Sequence, residues 1–470
     1  MRLLPVLLLL LVAGCTLMPN ETDELPAGVT DPKEDLVAQI KDHPDDLDSH
    51  ADLLRLQIKD GDAVGAQTTV SHALKFNGQD YRAHLLAAQY HRWQGDLISA
   101  EKSLLTARDL GPERLEPRVA LSGLYNQTYL EDEELEQRRV TLDLAGPDLR
   151  PEFLLDYAYA CSDLGRDDDA RSAATELLAD TKAPAGRRSR AEVLLCELSL
   201  RKELENESIT HLLNAYKLQP DYEGVVQYAA RLVTAVKDGK ALKPIFEQTL
   251  ESQDRVEMRW AALFGHWMLA VQSAVAADKD PLVEDVDSWF QRLDAVSPAH
   301  PDTLTRRYQL LALDPAREAE LKATEERLKA SDFGAPPAPG SLKAVIRLWR
   351  AEDALRLNAP GITLAELTQL EVREPKLDGM RIMRTMALFK ARDNEKCLGS
   401  IDAWLSEESE DSEFLLAMRW WILLREGKSL EVLNELRKRD DKPTNASLWI
   451  ESVAKFHVYR ATGEVPPDNG

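Results

Sequence analysis

The chain has 470 residues, 44% of them hydrophobic, which is enough for two to four domains with a sizeable core. Its formal charge of −23 excludes nucleic acid and anionic membrane surfaces as natural partners, because phosphate binding needs clustered Lys and Arg. Only 4 cysteines are present, and one of them, Cys15, closes an N-terminal apolar run; the 3 that remain cannot pair completely, so this is no disulfide scaffold.

The first element is MRLLPVLLLLLVAG, with Arg2 its only charge. The run is too short to cross a bilayer, which takes about 20 apolar residues as a helix. A basic start, a short aliphatic stretch and small residues at its end describe a secretory signal over residues 1–14. Residues 15–32 follow as a tether, because Asn20, Glu21, Asp23, Glu24, Pro26 and Gly28 cannot build a core.

The junction carries a resemblance. Val12-Ala13-Gly14-Cys15 is similar to the lipobox of bacterial lipoproteins. In that family the cysteine sulfur is acylated and the cysteine becomes the new N-terminus. The resemblance therefore implies lipidation (diacylglycerol and palmitate-type chains) at Cys15. Thr16, where an aspartate would retain many lipoproteins in the inner membrane, implies an outer-membrane location, lipid-anchored and facing the periplasm.

From residue 33 the chain repeats itself. Residues 47–80 and 81–114 align without a gap: Gly61-Asp62 falls on Gly95-Asp96, Ala66 on Ala100 and Ala73 on Ala107. Apolar residues at helical spacing lie on both sides of each Gly-Asp pair, so each unit reads as helix, turn, helix. The alanines sit where two antiparallel helices must approach closely. The period and small positions resemble the tetratricopeptide repeat (TPR), which has a turn glycine, second-helix alanines and a terminal proline; Gly95, Ala100, Ala107 and Pro112 fit. His50 and His84 stand where that family has a large side chain, which implies packing roles for both. Residues 135–147 echo 100–112, and 151–184, 189–222 and a weaker 222–255 continue the pattern. Residues 289–298 look like the end of another second helix.

Residues 331–341, SDFGAPPAPGS, break every helical pattern and read as a linker or long loop. Beyond it, 342–462 holds divergent helix pairs, with turns at Asp393-Asn394 and Gly427-Lys428. Residues 463–470 read as a tail. The expected fold is all-α, an α-solenoid of stacked helix–turn–helix (TPR-like) repeats over 33–330 and again over 342–462.

Two stretches invite other readings. The uncharged Ala261–Ala277 segment is short and holds Gly265, His266, Gln272 and Ser273, so a buried helix suits it better than a membrane span. Trp260, Phe264 and Trp267 share one helix face, a core face unless they form an exposed aromatic patch. The acidic run Glu131-Asp132-Glu133-Glu134 reads as a solvated helix start rather than a calcium loop, whose fixed glycine it lacks. Neither a GxSxG, HExxH, P-loop nor GxGxxG motif occurs, and the histidines are scattered. The chain is therefore expected to be non-catalytic, with no cofactor and no metal. Cys161 and Cys196 fall in adjacent first helices, about 8–10 Å apart by helix packing, too far for a bond.

In the family this resembles, first helices line a concave groove that binds peptides or proteins. By register that groove would include Arg55, Gln89, Trp93, Asn126 and Tyr159, with Trp93 and Tyr159 as anchors, although Trp93 can equally cap the seam of its own helix pair. The carboxylate-gripping variant of the groove is absent, since its positions hold Ala51, Arg55, Leu86, Glu116 and Ala120. The expectation is a scaffold lipoprotein mediating protein–protein interaction in assembly of an envelope complex such as a pilus, secretion, barrel-assembly or polysaccharide-export machine. A glycan- or nutrient-binding surface lipoprotein is the alternative, and it needs exposed aromatics among the late tryptophans.

Overall fold

Aspartate and glycine set the rhythm of the N-terminal helices. Asp46 and Asp80, one repeat apart, cap the first helices Leu47–Lys59 and Tyr81–Trp93; Asp62 and Asp96 cap the second helices Ala63–Asn77 and Leu97–Leu110. Each carboxylate accepts a backbone N–H that the helix itself leaves unpaired, as Asp62 does from Gly65 and Asp96 from Ser99. Between the helices of each pair, Gly61 and Gly95 adopt φ of 71° and 75°, the left-handed conformation that turns the chain back. The same conformation recurs at Tyr129, Gly165 and Glu203, and again at Asn358, Arg392 and Gly427. At the four non-glycine positions the turn costs about 1–2 kcal/mol. Packing of the helices it joins offsets that cost, so the repeat persists where its glycine does not.

The computed structural model describes residues 32–276, 286–375, 377, 379–407, 412–439 and 443–466, and among these the fold is all-α with no strand. The signal segment and Cys15 lie outside the described residues, as does the tether up to residue 31. The fold is a TPR-like stack of helix pairs that divides into two compact units.

One unit holds the described residues up to Phe153 together with those from Trp404 onward. Its core seam is built from small residues: Ala66, Ala73, Ala83 and Ala87 are at most 1% exposed and pack with Leu47, Leu54, Val70 and Leu86. Ala100 and Ala107 are fully buried in the next seam. The late helices Ser412–Arg425, Ser429–Arg437 and Asn445–Thr462 belong to the same unit. They meet the early repeats at the inter-helix turns: Tyr129 lies against Trp421 with ring centroids 4.7 Å apart, and a Cβ on Gly95 would stand 3.2 Å from Ser452 Oγ.

The other unit is Leu154–Ala403. Here too, turns of early helix pairs meet turns of later ones. Arg201 donates to the Asn358 carbonyl at 3.1 Å, Asn358 Nδ2 donates to Glu197 at 2.8 Å, and Arg392 donates to the Asp163 carbonyl at 3.3 Å. Its core is aromatic rather than alanine-rich. The helix Val256–Ala276 is the expected buried helix: Trp260, Phe264, Trp267 and Met268 are at most 6% exposed. Gly265 permits this packing, because a Cβ there would fall 2.3 Å from the Phe246 ring. Among the described residues no helix is long and apolar enough to cross a membrane.

The units cut across the linear division suggested by the Pro-rich stretch. Residues 331–341 join helices Glu318–Ala330 and Leu342–Arg356 of one unit, and they are docked: Gln309 Nε2 donates to the Pro337 carbonyl at 3.0 Å and the Gly340 N–H to Glu374 at 3.2 Å. The helix beginning at Glu131 does start with the acidic run, yet Glu134 corrects the solvated reading. It is 1% exposed, because Arg138 at 2.8 Å and Asn126 at 3.1 Å satisfy its carboxylate. Cys161, Cys196 and Cys397 are buried thiols.

Candidate functional site: the first-helix face

The face that sequence register nominates separates into free and committed side chains. Arg55 and Gln89 occupy equivalent places on successive first helices and are exposed. Arg55 pairs with Asp52 at 2.6 Å, a contact between two solvated groups that is worth little on its own. Asn126, on the first helix Glu116–Gln127, is exposed and spends its amide on Glu134. Between Gln89 and Asn126, Arg92 donates to Gln127 at 2.8 Å and ties two consecutive first helices together; sequence reasoning missed this link because neither residue is apolar or unusual in type.

The two aromatic anchors are placed differently. Trp93 is half-buried and packs on the alanine-rich seam, with the Tyr90 ring 6.3 Å away. Its position is the seam-capping one. Tyr159 lies in the other unit and is also half-buried: its hydroxyl donates to the Arg190 carbonyl at 3.2 Å, the Arg190 guanidinium lies 5.6 Å from its ring centroid, and burial pushes its phenol up to about 12. The histidines pack, as their register implied. His50 is fully buried, with one ring nitrogen donating to the Asp46 carbonyl at 2.6 Å and the other accepting from His72 at 3.0 Å; His84 donates to the Gly78 carbonyl.

The late tryptophans form no exposed patch among the described residues. Trp260, Trp267, Trp349 and Trp420 are buried, and the other four are half-buried. Trp267 stands edge-on to Phe290 and Trp349, and Trp260 stacks on His300. Through this core runs an ion network no motif announced. Arg306 pairs with Asp353 and lies 4.7 Å from the ring centroids of both Phe264 and Trp349. Arg231 reaches Asp353 at 3.2 Å and Asp302 at 2.8 Å, and Arg356 reaches Asp302 at 2.8 Å. Burial opposes ionisation of Asp302, but Arg356 and Arg231 hold its carboxyl well below the usual range. Glu352, beside this network, is pushed up to about 7 by burial. Each buried cation has an anion and a ring or hydrogen-bond partner, the arrangement that makes burial of charge tolerable. Among the described residues no group of three or more His, Cys, Asp or Glu side chains is arranged to hold a metal ion.

No family model matches the chain, and no curated protein matches it. Solved structures of helical-repeat proteins do. A tetratricopeptide repeat protein from Parabacteroides merdae is similar at 14% identity over 66% of this chain and 100% of its own, with a TM-score of 0.33. The Pseudomonas aeruginosa pilF protein is similar at 18% identity over 48% of this chain and 97% of its own, with a TM-score of 0.32. YrrB, a TPR protein with an unusual peptide-binding site, is similar at 15% identity over 41% of this chain and 97% of its own, with a TM-score of 0.31.

Proposed function

We propose that this chain is a non-catalytic scaffold that binds a protein or peptide on the first-helix face of its N-terminal repeats. The observation that carries the reading is a division of labour between surfaces. Within the N-terminal unit, contacts between early and late helices fall on the inter-helix turns around Gly95 and Tyr129, on the second helices at Glu101 and Glu133 and on the Tyr125 ring, while Arg55, Gln89 and Asn126 on the first helices stay exposed. A face that folding leaves free, polar and presented on rigid helices suits recognition of a polypeptide. The aromatic anchors proposed from sequence give way to these polar residues, because Trp93 and Tyr159 are spent on packing.

The lipobox-like Val12-Ala13-Gly14-Cys15 supports a finer reading: a lipoprotein anchored through Cys15 in the outer membrane, facing the periplasm, and holding an envelope complex together. A glycan- or nutrient-binding role draws no support from the packed tryptophans. Cys15→Ser tests the anchor: the protein should leave the membrane fraction, and unchanged sedimentation with membranes would reject acylation. For the partner face, Arg55→Ala and Gln89→Ala combined should abolish partner retention with an unchanged melting temperature; full retention would reject the face.

A further inference from the structure

The last helix, Asn445–Thr462, meets the early repeats through a cluster of polar and cation–ring contacts. Its buried residues Ile450, Val453, Ala454 and Phe456 form one apolar side, and it packs against Ser412–Arg425 and Ser429–Arg437. Towards the repeats it makes polar and cation–ring contacts. Arg460 pairs with Glu101 and, at 2.6 Å, with Glu133, and its guanidinium lies 5.3 Å from the Tyr125 ring centroid. Tyr125 donates its hydroxyl to the same Glu101 at 2.9 Å. His457 Nε2 donates to the Thr128 carbonyl at 2.6 Å, and Lys102 lies 5.0 Å from the Tyr459 ring centroid.

Glu101 is 9% exposed and Glu133 37%, so the pairing spans a nearly buried and a solvated carboxylate. Among the described residues Arg460 is the Arg or Lys ion-pair partner of both carboxylates. One arginine, in the last turn of the last helix, thus neutralises two acidic groups contributed by two successive repeats.

We propose that Asn445–Thr462 is an ionic latch: Arg460 fastens the C-terminal helix across the second and third N-terminal repeats, and loss or screening of that charge releases the helix from the repeat turns while the repeats stay folded. The inference goes beyond the scaffold reading and does not depend on the first-helix face binding anything. Release uncovers the turn at Gly95 and the Thr128 carbonyl, a second surface distinct from that face.

The test uses hydrogen exchange on the intact chain. Arg460→Met keeps the aliphatic stem and removes the charge. Amides of 445–462 should exchange roughly tenfold faster or more, while those of 47–110 keep their protection. In the parent chain, raising salt from about 0.05 M to about 1 M should accelerate exchange of 445–462, because the screening length falls several-fold. The Arg460→Met variant should lack that salt dependence, and Arg460→Lys should restore part of the protection. Unchanged protection in Arg460→Met would overturn the latch. So would loss of protection in 47–110 together with 445–462, since the helix would then be an integral part of the repeat core.

Discussion

The N-terminal repeats and the Leu154–Ala403 unit solve the same packing problem with opposite materials. In the repeats the seam is alanine and leucine, helices approach closely, and apart from the buried, paired Glu101 and Glu134 charged residues sit at caps and on the surface. In the other unit the seam holds Trp260, Phe264, Trp267 and Trp349, and Arg306 is drawn in among them while Arg231 and Arg356 reach its carboxylate cluster from nearer the surface. Small residues fix a spacing, and that spacing repeats along the chain. Large rings and buried charges fix particular partners instead, so each helix pair becomes individual and the repeat signature fades. The contrast also separates functions: the regular unit keeps a polar helical face free, whereas the irregular unit turns its distinctive side chains inward.

Four substitutions sharpen or break this contrast. The largest effect is expected for Asp353→Ala, which leaves the buried Arg306 without its anion. Denaturant unfolding should register a loss of about 3–5 kcal/mol, and Arg306→Met in the same chain should recover part of it. If Asp353→Ala is tolerated, the ion network does not hold the aromatic core. Next is Ala100→Glu, which drives a carboxylate into the alanine seam, where Ala100 is fully buried. A loss of about 3 kcal/mol is expected, seen as a sharp fall in melting temperature. An unchanged melt would mean the seam is not closed at that point.

A smaller effect follows from Glu352, whose carboxyl is pushed up to about 7 by burial from the ordinary 4.5. The folded state holds a proton that the unfolded chain loses, so stability falls as pH rises from about 4.5 to 7 and the full cost is present above that. Glu352→Gln should therefore stabilise by about 1–2 kcal/mol at pH 8 and by almost nothing at pH 4, since the side chain keeps some solvent contact. Equal effects at both pH values would contradict this. The smallest change is Glu203→Gly. It removes side-chain strain at φ of 58° and should raise stability by about 0.5 kcal/mol, as a slightly higher denaturation midpoint. A clear loss would show that Glu203 is not merely closing a turn.

These substitutions also mark what was legible in the sequence. The 34-residue match placed Gly61, Gly95, Ala66 and Ala100 correctly, because a left-handed turn and a tight seam each demand a particular residue type. Tyr129, Glu203, Asn358 and Arg392 make the same turn without glycine, and nothing in their type discloses it. The uncharged stretch 261–277 reads as a buried helix from its length and lack of charge, and the helix Val256–Ala276 that contains most of it is buried. Its partners were not legible, because periodicity names a face and never a neighbour. For that reason Trp93 and Tyr159 looked like anchors, Arg306 drew no attention, and the bond between Arg460 and Glu101, which joins residues 359 apart, was invisible. Gln89 was legible as a surface residue because register alone decides exposure on a repeat helix.

Partner binding on that exposed first-helix face is tested most directly by site-specific photocrosslinking in cells. A photoreactive residue at Gln89 is compared with one at Thr106, which is exposed on the second helix of the same repeat. The account predicts a discrete adduct from position 89 that disappears when Arg55 and Asn126 are replaced by alanine, and none from position 106. An adduct from 106 with none from 89 would contradict it.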